Sequence, residues 1–136
     1  DHPRTLFIAS FIGNPPMNFW EAEVIVRDGV YYARQAGLEV AVPAERGTKA
    51  AGRGKVIVGI RPEDVTIVDD GVPGEVYVVE PLGRDDLLDV RAGQASIRVL
   101  ADPAAGIKIG DKVQLSFNTD AIQFFDPQTE ESLLWA

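Results

Sequence analysis

The sequence predicts an all-β fold, and three observations carry that prediction. Apolar residues recur with period two: Trp20, Ala22, Val24 and Val26 alternate with Glu21, Glu23 and Arg27. Asp28-Gly29, placed before Val30-Tyr31-Tyr32, is a tight hairpin signal. Further short runs follow at close intervals, punctuated by Asp-Gly, Pro-Gly, Leu-Gly and Ile-Gly steps. Many short strands with turns between them make a barrel or a sandwich.

The first segment reads differently from the rest. Pro3 suits a first helical turn, and Gly13-Asn14-Pro15-Pro16 ends whatever precedes it, so residues 5–12 are expected as a short helix. With Leu6, Phe7, Ala9, Ser10 and Phe11 it would be apolar nearly all round, and such a helix must pack against something. After the double proline the period changes to two. Leu38, Val40 and Val42 alternate until Pro43 stops them, and the polar, glycine-containing stretch 44–54 reads as a surface loop. Strands are expected at 55–60, 65–68, 75–80, 87–91, 96–100, 112–117 and 121–125.

Residues 55–69 lie on residues 112–126 without a gap. Lys55/Lys112, Val56/Val113 and Asp69/Asp126 are identical, and Val58/Leu115, Ile60/Phe117, Val65/Ile122 and Ile67/Phe124 agree in character. Two readings are open: a strand–turn–strand unit used twice in a pseudo-symmetric barrel, or the likeness that any two period-two hairpins share.

A chain of 136 residues with 46% hydrophobic residues is the size of one ordinary domain with one core. No apolar run approaches the roughly 20 residues of a membrane helix; a run such as Val76 to Val79 is strand-sized. No signal peptide is recognisable, and the absence of an initial methionine suits an excised fragment. The net charge of -8, with 13 scattered Lys and Arg, argues against nucleic-acid and anionic-membrane partners. With no cysteine, thiolate metal sites and disulfides are excluded, which fits a cytosolic compartment.

Recognisable catalytic groups are mostly missing. His2, at the terminus, is the only histidine, so histidine triads and paired-histidine metal sites drop out. Gly47 to Gly54 has the glycine spacing of a phosphate loop, but Arg53-Gly54 stands where Lys and a hydroxyl are needed. The acid pairs Asp69-Asp70, Asp85-Asp86 and Glu130-Glu131 sit beside turn residues and read as solvated turn acids. Aromatic neighbours are more informative. Phe19-Trp20, Tyr31-Tyr32 and Phe124-Phe125 must face opposite sides of a strand, so one of each pair needs cover from outside the core.

Four segments together resemble one family. Leu6 to Phe19 resembles the junction after the ATPase domain in ABC importer subunits of the MalK/UgpC type. Gly59-Ile60-Arg61-Pro62-Glu63 is similar to the GIRPE strand–turn of their C-terminal regulatory domain, and Glu80-Pro81-Leu82-Gly83 to its EPLG turn. Residues 122–129 resemble the closing LFDPET segment, with Gln128 and Glu130 where Glu and Gly are usual. The resemblance implies an OB-like barrel with a TOBE-type β subdomain, preceded by a short N-terminal helix. Residues 1–16 would end the ATPase domain and form the linker, and 17–136 would be the regulatory domain. It also implies a non-catalytic role: holding two ATPase subunits of a carbohydrate importer together, with a homodimer, the chain's own ATPase domain, permease subunits and a regulatory protein as partners. ATP and Mg would belong to the ATPase domain, and the location would be the cytoplasmic face of the membrane. Phe11, Phe19 and Phe125 are the candidate contact residues. The alternative is a small-ligand sensing module for an oxyanion or a sugar, with Arg61 and Arg84, both at turns, facing the ligand.

Overall fold

The computed structural model describes residues 16–134. The expected helix at 5–12 lies outside them. Ten strands form two antiparallel five-stranded sheets. The first takes β1 (Asn18–Arg27), β2 (Val30–Gln35), β3 (Leu38–Val42), β4 (Lys55–Ile60) and β10 (Gln123–Phe125), in the order β10-β4-β1-β2-β3. The second takes β5 (Val65–Val68), β6 (Val72–Pro81), β7 (Asp86–Ala92), β8 (Ala95–Ala101) and β9 (Lys112–Phe117), in the order β5-β9-β6-β7-β8. The all-β expectation holds.

The two sheets are the same unit used twice. In each, a three-strand meander is followed by a fourth strand that pairs with the first, and a fifth strand crosses to the edge of the other sheet. Registers repeat as well. Gln123 lies opposite Gly59 and Thr66 opposite Ser116; Phe124 lies opposite Val58 and Ile67 opposite Leu115. The aligned segments of the sequence are β4–β5 and β9–β10, each joined by a single 3-10 turn, Pro62–Asp64 or Thr119–Ala121. Chance likeness of two hairpins does not produce matching register and exchanged partners, so the duplicated unit is the correct reading.

Period two is obeyed where burial demands it. Trp20, Ala22 and Val24 of β1 and Val56, Val58 and Ile60 of β4 point into one core, continued by Val76, Leu88, Val90, Ile97, Val99 and Leu115 of the second sheet. Phe124, fully buried on the exchanged strand β10, belongs to that core. Burial of such a ring stabilises by about 1.5–3 kcal/mol. Besides the exchanged strands and the shared core, two contacts join the halves at their ends. Asn18, itself buried, hydrogen-bonds both backbone groups of Arg98 on β8. The hairpin tips of β2–β3 and β7–β8 meet at Gly37 and Gly93, where a Cβ on Gly37 would lie 2.7 Å from the Gly93 Cα.

One local expectation is corrected. Residues 44–54 are not all loop: Ala44–Ala50 form a helix, α1, with Glu45 in its first turn and Lys49 in its last, as the helix dipole favours. Packing explains it. Ala50 is fully buried, and a Cβ at Gly47 would lie 2.5 Å from the Tyr31 ring, so glycine lets the helix reach β2. At the end of the chain the predicted strand 121–125 is shorter, β10 being preceded by the 3-10 turn.

Candidate contact surface

Each aromatic pair divides between two faces, as the alternation requires. Trp20 enters the core beside Phe117, with ring centroids 5.9 Å apart, and Phe19 faces outward. Tyr31 packs against the core, while Tyr32 lies under the Arg27 guanidinium at 4.9 Å. Phe125 corrects the sequence reading. It points away from the main core yet is fully buried, in a small second cluster with Met17, Phe19 and Ile57. Its ring meets Phe19 edge-on at 6.0 Å. Gly59 forms the floor, since a Cβ there would lie 2.8 Å from the Met17 sulfur and 3.1 Å from both phenyl rings. Strand neighbours thus supply the cover that the sequence assigned to a partner, leaving Phe19 half-buried at the rim. Phe11 lies outside the described residues.

The most exposed apolar surface lies elsewhere. Of the exposed large hydrophobic residues among those described, Tyr77, Val78, Leu82 and Ile109 flank one stretch of β6, and Ile109 is the most exposed at 67%. Beyond Glu75, β6 leaves β9 and runs on with β7 alone. A β-bulge between Val76 and Val78 shifts the register, putting Tyr77 and Val78 outside together. Gly110 donates to the Val76 carbonyl, which seats Ile109 beside this edge. The run Val76-Tyr77-Val78-Val79 is the signal that could have found it: in a half-buried strand some of these residues must face out.

Charge is arranged in matching sets on the two halves. Glu23 lies opposite Arg34 on β2 and Lys55 on β4; Glu75 lies opposite Arg91 on β7 and Lys112 on β9. The Arg34–Glu23 and Lys112–Glu75 separations are 3.9 and 3.1 Å. Arg27 holds Glu39 with two bonds of 3.0 Å; that hydrogen bond first, and then the opposite charge of the partner, lower the Glu39 pKa and raise that of Arg27. In the closing turn, Asp126 accepts from the backbone of Thr129 and Gln128, and these bonds hold its pKa below the usual carboxylate value.

Of the two ligand candidates, Arg61 precedes the 3-10 turn between β4 and β5, and Arg84 is exposed in the β6–β7 turn. Neither lines the cleft of about 660 Å³ between Arg34 and Pro73, nor that of about 580 Å³ between Glu21 and Leu133. The near-miss phosphate loop is taken up by α1 and the turn after it, with no helix start facing a glycine loop. Among the described residues no group of three or more His, Cys, Asp or Glu could hold a metal ion. No helix among them is long and apolar enough to cross a membrane.

The two halves correspond to two known domain types. The MalK OB fold domain matches residues 13–65, and the TOBE domain matches residues 58–125, half of the chain. The chain belongs to the TOBE domain family, with a MalK OB fold ahead of it. In this OB–TOBE pair the OB match takes in β1 to β4 with α1, and the TOBE match runs to the exchanged strand β10. Neither family is a nucleotide-binding cassette. The OB–TOBE chain is 36% identical to the uncharacterized ABC transporter ATP-binding protein y4oS of Sinorhizobium fredii, over 95% of this chain and 34% of that protein. It is 34% identical to the multiple sugar-binding transport ATP-binding protein MsmK of Streptococcus mutans, over 98% of this chain and 38% of the relative. Against the sn-glycerol-3-phosphate import ATP-binding protein UgpC of Ruegeria the identity is 35%, over 95% and 35%. The chain thus spans about a third of the length of the curated relatives it matches.

Proposed function

We propose that this OB–TOBE chain is the regulatory domain of the ATP-binding subunit of an ABC importer for carbohydrates or related polyols, acting by contact. The observation that carries the reading is the tandem OB and TOBE match together with near-complete coverage by ATP-binding transport proteins three times as long. In this reading residues 1–16 close the ATPase domain and lead into the regulatory domain at 17–136. ATP and Mg bind in the ATPase domain, and the subunit sits at the cytoplasmic face through the permease subunits. Two subunits meet through their OB–TOBE domains, and a regulatory protein is a further partner. The half-buried Phe19 and the apolar edge at Tyr77, Val78, Leu82 and Ile109 are the surfaces suited to contact. The test removes residues 17–136 from the longer protein and follows ATP binding and subunit mass. Retained ATP binding with a weakened dimer is expected; lost ATP binding, or a dimer of unchanged strength, overturns the reading.

A further inference from the structure

Asn18 occupies a position in which its side chain serves two sheets at once. Its backbone pairs within the first sheet, opposite Ile60 of β4. Its side chain, on a residue only 2% exposed, reaches the second: Nδ2 donates to the Arg98 carbonyl at 2.9 Å, and Oδ1 accepts from the Arg98 N–H at 2.8 Å. Those two groups point away from β7 on the outermost strand of its sheet. An amide side chain thus stands in for a neighbouring strand at this residue, and it satisfies both outward-facing backbone groups of Arg98.

The duplicated fold supplies an internal comparison. The charged sets that repeat between halves place Asp70 where Asn18 stands in β1, and Ala41 where Arg98 stands in β8. Both are exposed, and an acid carries no donor for a carbonyl. The clamp is therefore built on one side of the pseudo-two-fold axis alone, the side on which the chain enters from Pro16 and Met17. A bond that served only the barrel would be expected in both halves.

We infer that Asn18 is a relay that ties the chain's point of entry to the second sheet, so that a displacement at Pro16–Met17 is delivered to β8 together with β1. The relay is local. It leaves the exchanged strands β5 and β10 to hold the halves together.

Amide exchange and amide chemical shifts in the whole chain test it. In Asn18→Ala, exchange of the Arg98 amide is expected to rise about tenfold relative to the Leu88 amide in the middle of the sheet, as loss of one buried hydrogen bond implies. Asn18→Ser is uncharged and its hydroxyl is too short to bridge both Arg98 groups, so the same rise is expected there; this variant serves if the alanine variant fails to fold. Met17→Ala, which disturbs the entry, should move the resonances of residues 97–99 when Asn18 is present and leave them in place in Asn18→Ala or Asn18→Ser. A uniform rise of all amides would make Asn18 a source of general stability only and would overturn the relay. So would shifts at 97–99 that persist without the Asn18 amide, or that never occur with it.

Discussion

Replacing Gly93 by alanine probes the closest approach between the two halves. Gly93 has φ of 59°, and an added Cβ would lie 2.5 Å from the Ala36 carbonyl oxygen and 2.7 Å from the Gly37 carbonyl carbon. Two effects add. The left-handed conformation costs an L-residue about 1–2 kcal/mol. Overpacking adds about 1–3 kcal/mol, and here the obstacle is backbone of the opposing tip, which cannot swing aside as a side-chain end would. The expected loss is about 2–5 kcal/mol in all. Gly106 is the matched control, with φ of 65° and nothing within 4 Å of where an added Cβ would sit. Urea unfolding of Gly93→Ala and Gly106→Ala, extrapolated to water, isolates the contact as the difference between them. A difference of about 1–3 kcal/mol is expected. Equal losses in the two variants would refute the packed-tip account of how the halves are joined.

Three further outcomes follow from the same geometry. Phe125→Ala should lose about 3–5 kcal/mol in urea unfolding, as a buried ring does; a loss below about 1 kcal/mol would return Phe125 to the surface. Glu130 has φ of 62° in the closing turn, so Glu130→Gly should raise the melting temperature by relieving about 1 kcal/mol of strain, and a lower melting temperature would contradict this. Asp126, its pKa lowered by bonds from Thr129 and Gln128, contributes stability that is present above the unfolded value of about 3.9 and is lost as pH falls through its lower folded value. Asp126→Asn should remove that part of the acid-limb slope in urea midpoints measured from pH 2.5 to pH 6, taken as roughly the titration range; an unchanged slope would count against the turn as the cause.

The strand pattern was legible because burial enforces period two on β1 and β4, and because Asp28-Gly29, with φ of 53° and 78°, can only be a tight turn. The duplication was half legible. Identity at Lys55/Lys112 and Asp69/Asp126 pointed to a repeated unit, but the exchange of β5 and β10 between sheets exists only in the pairing. Helix α1 escaped because seven residues containing a glycine carry little helical signal; its formation rests on packing against Tyr31. Phe125 escaped for a related reason. Period two gives the side of the sheet on which a ring lies, and what lies over that side, here Met17 and Phe19, comes from a segment distant in sequence. The candidate contact surface was legible least of all. Its apolar edge depends on a bulge in β6, which a run of four apolar residues does not announce.

The claim that two copies meet through this domain is tested most directly by sedimentation equilibrium of the chain across a wide concentration range. The mass is expected to rise from the 14.7 kDa of one chain towards twice that value, and Val78→Asp or Ile109→Asp at the exposed edge should diminish the rise. A mass that stays at one chain throughout would contradict the claim.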